Sequence, residues 1–183
     1  MKAAILTIGD EILIGQTVNT NATYIGHQLH RIGIGIEQNL IIKDQEADII
    51  SAVNALFKVA DLIIVTGGLG PTSDDRTRSA IADLLGVGLE DNREVLDRIR
   101  SFFQSRGKEM PASTALQAMV PTGATVLLNE NGTAPGLAIE HSDRWLLMLP
   151  GPPRELHPMF VDQVMPWLAK LCPVEAPFSG LSL

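Results

Sequence analysis

The sequence 66-TGGLGPTSDD-75 follows directly on the apolar run 61-DLIIV-65. A continuous apolar run of this length is typical of a strand covered on both faces, as in a parallel sheet. The ten residues after it carry three glycines, a proline, three hydroxyl groups and two adjacent carboxylates. A loop that only reverses the chain needs neither so little side-chain bulk nor two negative charges. The pattern therefore predicts a binding site where the strand ends.

Apolar runs of strand length alternate with segments of helical periodicity along the chain. The strand candidates are 3-AAILTI-8, 36-IEQNLII-42, 61-DLIIV-65, 124-ATVLL-128 and a hairpin of 137-LAIEH-141 with 145-WLLML-149. The helix candidates are 19–32, 46–60, 76–86, 91–107, a short one at 111–119 and a final one after 150-PGPPRE-155. This alternation indicates βαβ units, and the hairpin adds antiparallel strands. The sequence thus predicts an α/β domain with a mostly parallel, mixed sheet.

Three helix limits are expected from particular residues. Thr20 or Asn21 is predicted to cap the first long helix, and Gly33 to end it. The final helix carries apolar residues four positions apart, namely Leu156, Phe160, Val164 and Leu168. Pro166 falls inside that pattern, so this helix is expected to kink or to stop just before it.

Length and composition limit the class of protein. The 183 residues suffice for one domain, expected at 1–171, with 172–183 as a terminal extension or the start of a linker. Lys and Arg number 14 against 21 Asp and Glu, and the net charge of −7 argues against a nucleic-acid partner. The single cysteine, Cys172, excludes an internal disulfide, and no apolar run reaches the roughly 18 residues of a membrane span. A cytoplasmic protein that does not bind membranes is expected.

Four unusual loops follow predicted strands. They are 9-GDEILIGQTVNTN-21, 66-TGGLGPTSDD-75, 129-NENGTAPG-136 and 149-LPGPPRE-155. In an open α/β sheet, ligands bind outside the carboxyl ends of the strands. The four loops are therefore expected to meet at one edge of the sheet. Taken singly, their asparagines and prolines are also consistent with ordinary turns.

The glycine loop has a readable chemistry. Gly67, Gly68 and Gly70 allow the backbone to approach a ligand closely and to direct N–H groups at an anion, while Thr72 and Ser73 offer hydroxyls. The loop is not a Walker loop, because no lysine follows the last glycine, and it does not read G-x-G-x-x-G. The glycines alone are thus a weak signal.

Carboxylates follow two of the strands. Asp74 and Asp75 precede a helix, where one acid could serve only as a cap, and Asp10 with Glu11 could form a solvated turn. If the loops meet, up to four carboxylates lie at one edge, and a divalent cation such as Mg²⁺ would compensate them. A cation next to a glycine loop predicts a phosphate or pyrophosphate site.

The four loop motifs together resemble the amino-terminal domain of the CinA family of competence/damage-inducible proteins. More broadly they resemble the molybdopterin-binding domain shared with MogA, MoaB and the third domain of MoeA. The likeness runs from Ala3 to about Leu171, and the GGLGPT and NGTAPG variants favour the CinA branch. The resemblance implies a three-layer α/β/α sandwich of the MogA type, with its site at the edge described above.

The resemblance and the loop chemistry together give the expected site residues, although many CinA proteins carry Thr where Asp10 stands. Glu11, Asp74 and Asp75 are expected to be catalytic, and Glu11, Asp75 and Asp10 to hold Mg²⁺, Mn²⁺ or Co²⁺. The substrate-binding residues are expected to be Asn19, Asn21, Thr66, Gly67, Gly68, Gly70, Pro71, Thr72, Asn131, Gly132, Thr133, Ala134, Pro135, Pro150, Gly151, Pro152, Pro153 and Glu155.

Two functions are expected from this family. The first is hydrolysis of ADP-ribose, a nucleotide pyrophosphate, to AMP and ribose 5-phosphate. The alternative is a module that binds molybdopterin or a related pterin phosphate in molybdenum cofactor biosynthesis without its own hydrolase activity. Relatives form dimers or trimers, and full-length members often carry a carboxy-terminal amidase domain that this sequence lacks.

Overall fold

The structure, a computed structural model, describes residues 1–72 and 74–171. Its strands are β1 (Lys2–Ile8), β2 (Gly35–Ile42), β3 (Leu62–Thr66), β4 (Leu89–Asp91), β5 (Met119–Pro121), β6 (Thr125–Leu127), β7 (Gly136–His141) and β8 (Arg144–Leu149). Six of them form one sheet in the order β2-β1-β3-β8-β7-β6, while β4 and β5 form a separate antiparallel pair.

The sheet is mixed, as predicted. Strand β1 pairs in parallel with β2 and β3, and β3 pairs in parallel with β8. The predicted hairpin is formed by β7 and β8, with Ser142 and Asp143 at its turn. Both turn residues have positive φ, 51° and 60°, as a tight two-residue hairpin turn requires. Strand β6 is antiparallel to β7 and therefore runs in the same direction as β1, β3 and β8.

Helices cover both faces of the sheet. They are α1 (Asp10–Leu13), α2 (Thr20–Arg31), α3 (Glu46–Leu56), α4 (Thr77–Leu85), α5 (Arg93–Gln104), α6 (Pro153–Met159) and α7 (Met165–Leu171). A 3₁₀ helix spans Ala112–Ala118, and a π-helix, Phe160–Val164, joins α6 to α7.

Two buried cores, one on each face of the sheet, hold the layers together. The first joins α3 and α4 to the sheet and includes Leu6, Val53, Ile63 and Ile81. The second joins α2 and the final helices to the opposite face and includes Ile5, Ile25, Ile64 and Phe160. Alternate residues of each strand thus point into different cores, which is why the strands read as continuous apolar runs. The expectation of a three-layer α/β/α sandwich with a mostly parallel mixed sheet is confirmed.

Two predicted helix limits differ from the structure. The N-cap of α2 is Asn19, whose side chain accepts a hydrogen bond from the Ala22 N–H at 3.1 Å; neither Thr20 nor Asn21 caps the helix. The final helix does not stop before Pro166 but continues through it to Leu171. A π-helix, Phe160–Val164, interrupts the helix just before Met165 and Pro166, and such a segment is a usual place for the kink that was the other expectation here.

The parallel direction of β1, β3, β6 and β8 places the loops that follow them at one edge of the sheet. These are the four loops singled out from the sequence. Across residues 1–72 and 74–171, helices with the length and apolar character of a membrane span do not occur.

Candidate functional site

The four loops enclose a cleft of about 730 Å³, a volume usual for a small-molecule site. Most residues predicted to form a site line it, namely Asp10, Glu11, Asn19, Asn21, Thr66, Gly67, Gly68, Gly70, Pro71, Asp74, Asp75, Thr133, Ala134, Pro150, Gly151, Pro152, Pro153 and Glu155. The structure therefore brings residues from all four loops together.

Some of the predicted residues do not line the cleft. Thr72 is exposed and donates its hydrogen bonds to a neighbouring carboxylate. Asn131 is exposed, and Gly132 and Pro135 are buried behind the cleft wall. The hydroxyl of Ser73, which was expected to contribute, lies outside the described residues.

The carbonyl groups of the glycine loop are held against α4. Thr77 donates from its hydroxyl to the Gly67 carbonyl at 3.1 Å and from its N–H to the Gly68 carbonyl at 3.2 Å. The Leu69 carbonyl accepts a hydrogen bond from Arg78 Nη1 at 2.7 Å. Three successive peptide groups are thus fixed by the first turn of α4.

This fixing turns the loop N–H groups towards the cleft. In a trans peptide the C=O and N–H bonds point in opposite directions, so the N–H groups of Gly68, Leu69 and Gly70 lie on the side away from α4. These residues line the cleft, and no described residue accepts a hydrogen bond from the three N–H groups. Successive N–H groups directed to one side form a concave anion-binding site.

The glycines of this loop have an internal structural role, which the sequence did not indicate. Gly67 and Gly68 have φ of +98° and +65°, a region that favours glycine. A Cβ at Gly67 would overlap the carbonyl oxygen of Ile8, and one at Gly68 would overlap the Thr77 hydroxyl. From the sequence, these glycines were expected to allow close contact between the backbone and a ligand, but at Gly67 and Gly68 contacts within the protein itself already require glycine.

Asp75 shapes the loop and does not cap the following helix. Its Oδ2 accepts hydrogen bonds from the Thr72 N–H, at 2.9 Å, and from the Thr72 hydroxyl. Helix α4 begins at Thr77 with Arg76 at the N-cap position and has no side-chain cap. The alternative in which Asp75 serves only as a cap is therefore wrong.

Asp44, which sequence reasoning missed, lines the cleft beside the glycine loop. A Cβ built on Gly68 would lie 3.2 Å from Asp44 Oδ2. Burial raises the pKa of Asp44 to about 6, and the negative charges of Asp75, Asp10 and Asp74 act in the same direction, while a hydrogen bond from the Arg76 backbone opposes them. Asp44 is thus a carboxylate that titrates close to neutral pH.

Glu155 closes the opposite end of the cleft. Its Oε2 accepts a hydrogen bond from Asn129 Nδ2 at 2.8 Å, and the same amide group donates to the Ala134 carbonyl at 2.8 Å. Burial raises the pKa of Glu155, while Asn129 and Arg154 oppose the shift. Gly132 packs directly on this carboxylate, so the 129–136 loop is held by a buried polar contact.

Two asparagines connect the first loop to the sheet edge. Asn19 Nδ2 donates to the Thr7 hydroxyl at 2.9 Å, and Asn21 Nδ2 donates to the Gly151 carbonyl at 2.6 Å. These contacts give both asparagines roles beyond a simple turn. The Asn21 contact also joins the first of the four loops to the last.

Three buried oxygens of cleft residues lack a hydrogen-bond partner among the described residues: Asn21 Oδ1, Asp44 Oδ1 and Gln117 Oε1. Gln117, also missed from the sequence, reaches the cleft from the 3₁₀ helix and donates from Nε2 to the Leu69 carbonyl at 3.0 Å. Buried oxygens without partners are usually satisfied by a donor or a cation. The cleft therefore offers acceptors for a bound group.

The cleft lining is acidic. Its carboxylates are Asp10, Glu11, Asp44, Asp74, Asp75 and Glu155, and in the described part of the chain no Lys, Arg or His side chain lines it. The oxygen-only donor set suits a hard cation such as Mg²⁺. However, within residues 1–72 and 74–171 no three acidic, His or Cys side chains are arranged to hold a metal ion. Any cation bound in this cleft would therefore keep water or phosphate oxygens among its ligands, as Mg²⁺ usually does.

A three-layer α/β/α domain with a glycine loop and a cleft at the carboxyl edge of its sheet is typical of a small-molecule-binding domain. The family model described as "Probable molybdopterin binding domain" matches residues 4–170. CinA from Thermoplasma acidophilum, a solved structure of unknown function, is 32% identical, has a TM-score of 0.82 and covers 89% of this chain and 95% of its own. The chain belongs to the CinA family of molybdopterin-binding-like domains.

Two further comparisons agree with this assignment. The "Putative competence-damage inducible protein" of Caldicellulosiruptor bescii is 45% identical over 170 residues, which are 93% of this chain and 41% of the relative. The molybdopterin biosynthesis enzyme MoaB from Thermus thermophilus shares the fold, with a TM-score of 0.59, 19% identity and coverage of 97% and 99%. The chain thus spans less than half the length of the curated relatives it matches.

Proposed function

We propose that the cleft binds a phosphorylated ring compound of the molybdopterin class, a pterin phosphate, with its phosphate on the N–H groups of Gly68, Leu69 and Gly70. The observation that carries the proposal is that the carbonyls of Gly67, Gly68 and Leu69 are held by Thr77 and Arg78, while the N–H groups of Gly68, Leu69 and Gly70, which line a cleft of about 730 Å³, have no acceptor among the described residues. The family to which the chain belongs is described as molybdopterin-binding, which supports the same ligand class.

The lining of the cleft suits the two parts of such a ligand. Beside the loop N–H groups it contains apolar side chains from all four loops, namely Ile12, Val18, Leu69, Pro71, Ala134, Pro150, Pro152 and Pro153. Flat apolar surfaces of this kind cover the faces of a ring, and a few polar groups fix its orientation. The orphaned Asn21 oxygen is an acceptor for a donor group on the ligand.

Charge makes a divalent cation part of the proposal. Carboxylates surround the cleft, so a phosphate without a counter-ion would be repelled. Asp10, Glu11 and Asp75 are the proposed contacts for Mg²⁺, Mn²⁺ or Co²⁺, and because no three described acidic, His or Cys side chains are arranged to hold an ion directly, they would hold it partly through its bound water. A bound cation would neutralise phosphate oxygens and increase the acidity of a nearby water.

Hydrolysis of ADP-ribose and related nucleotide pyrophosphates is the second candidate function, and the environment of Asp44 favours it. A carboxylate with a pKa raised to about 6 is suited to take a proton near neutral pH. Asp44, Asp74 or Asp75 would accept a proton from a water molecule while the oxygen of that water bonds to phosphorus. The bridging P–O bond then breaks, releasing AMP and ribose 5-phosphate. The loop N–H groups would stabilise the charge that develops on the phosphoryl oxygens.

Calorimetry with 6-hydroxymethylpterin diphosphate, ADP-ribose and adenosine, with and without Mg²⁺, tests the proposal. The pterin diphosphate should bind in the presence of Mg²⁺, and adenosine, which carries no phosphate, should not. Chromatography of the ADP-ribose samples decides the second candidate through the release of AMP. Absence of binding by both phosphorylated compounds to folded protein would reject the proposed function.

The remaining expectations belong to this proposal. A dimer or trimer is proposed, and sedimentation velocity would measure it. The activity of the full-length relatives, of which this chain spans about 41%, is likewise only proposed for this chain.

A further inference from the structure

Arg78 is a buried cation without an acidic partner. Only 7% of the residue is exposed, and its guanidinium donates to the carbonyls of Leu69, at 2.7 Å, and Gly70, at 3.4 Å. In the described part of the chain it forms no ion pair, although the more distant charge of Asp75 favours its charged form. Burying a charge on neutral carbonyls alone is costly, so its retention calls for a physical reason.

The position of this charge supplies that reason. Arg78 lies on the α4 side of the glycine loop, while the N–H groups of Gly68, Leu69 and Gly70 face the cleft on the other side. No described cationic side chain lines the cleft itself. A fixed positive charge one backbone layer behind an anion site acts at short range and is little screened by salt.

We propose that Arg78 is the positioning residue that makes the cleft selective for a phosphate or pyrophosphate group, its buried charge acting through the loop on the bound anion. The inference rests on the proposed function and extends it by naming the residue that discriminates anionic from neutral ligands. Arg78 also holds the loop through its hydrogen bonds, so a test has to measure the effect of its charge on ligand binding separately from the effect of those hydrogen bonds.

Gln117 provides that separation. It donates to the same Leu69 carbonyl as Arg78, at 3.0 Å, but it carries no charge. Gln117→Met removes one of the two side-chain contacts to the Leu69 carbonyl, and Arg78→Lys keeps the charge with fewer donors. Arg78→Met removes both the charge and the contact. Arg76→Met is the matched control, because Arg76 precedes the same helix but is exposed and pairs with Glu46 at 3.7 Å.

The experiment is calorimetry of inorganic pyrophosphate with Mg²⁺ at low and at physiological salt, with circular dichroism to establish folding. Arg78→Met should bind pyrophosphate about tenfold more weakly at both salt concentrations, as expected for loss of a charged contact. Arg78→Lys and Gln117→Met should stay within about threefold of the wild type. Arg76→Met should lose affinity only at low salt, because exposed charges are screened.

The outcomes separate three cases. Wild-type protein that binds no pyrophosphate rejects the proposed function and this inference with it. Tight wild-type binding that Arg78→Met leaves unchanged rejects the inference alone. If Gln117→Met or Arg78→Lys loses as much affinity as Arg78→Met, the role is to hold the loop and the charge is unimportant. If Arg78→Met does not fold, Arg78→Gln, which removes the charge and keeps an amide donor, takes its place: a loss of about tenfold supports the inference, and affinity within about threefold of the wild type rejects it.

Discussion

Ionisation of Asp44 costs free energy in the folded protein because of burial and neighbouring carboxylates, and this makes the free energy of unfolding depend on pH. Its pKa is about 6 in the folded protein against an ordinary value of 3.8. Between these values the folded state binds more protons than the unfolded state, so this group's contribution to stability falls as pH rises from about 4 to about 6.

Asp44→Asn should therefore stabilise the metal-free protein at pH 7.5, by about 1 kcal/mol after allowance for solvent screening. At pH 4 the difference should fall to a small part of that value, because Asp44 is then protonated in the folded wild type and close to half-protonated in the unfolded chain. Urea denaturation with a chelator at the two pH values measures this. Equal stability of variant and wild type at pH 7.5 would show that Asp44 bears no such penalty.

Asp75 is expected to act on the bound cation. Asp75→Asn keeps an oxygen that can accept from the Thr72 N–H, so the free energy of unfolding should change by less than about 1 kcal/mol. If the cleft hydrolyses ADP-ribose, AMP release should fall about 100-fold or more. Asp83→Asn, which removes an exposed charge from α4, is the control and should leave the rate unchanged. Near wild-type turnover in Asp75→Asn would limit Asp75 to shaping its loop.

Two glycines distinguish packing from ligand contact in the loops. A Cβ at Gly68 would overlap the Thr77 hydroxyl at a φ of +65°, so Gly68→Ala should cost about 2–4 kcal/mol of stability. Gly151 also lines the cleft, but the nearest atom to a Cβ there, the Gly67 Cα, is 3.6 Å away. Gly151→Ala should leave stability within about 0.5 kcal/mol of the wild type and weaken ligand binding.

Thermal unfolding and calorimetry on both variants provide the comparison. A stable Gly68→Ala protein would contradict the packing described for the loop. A Gly151→Ala protein with unchanged affinity for pyrophosphate and for the pterin diphosphate would show that neither ligand approaches the 149–155 loop.

The long apolar strands and the loops after them could be predicted from the sequence, because their signals are local. The strands β4 and β5 were not predicted, because each is only three residues long. All three residues of Leu89–Asp91 are exposed, and Met119–Pro121 contains a proline, so neither strand has an apolar pattern typical of a buried strand. Asp44 lies in a charged stretch that resembles an ordinary helix start, and its importance comes from proximity to the glycine loop. Gln117 and Arg78 act through a contact with Leu69, to which no local pattern points.

For the chain as a whole, the proposed function is that an acidic cleft binds a phosphorylated ligand through backbone N–H groups and a cation. Four loops separated in sequence meet because the strands before them run in one direction. The family of the chain and the orientation of the glycine loop agree on an anionic ligand. The position of that anion is the central claim.

An NMR titration of the ¹⁵N-labelled chain with pyrophosphate and Mg²⁺ tests this claim most directly. The account predicts that the amide resonances of Gly68, Leu69 and Gly70 move downfield in step with saturation, because N–H groups shift in that direction when they donate to an anion. Amides on the far side of α4 should move little. Saturable binding that leaves these three resonances in place, or that shifts another part of the chain instead, would contradict the account.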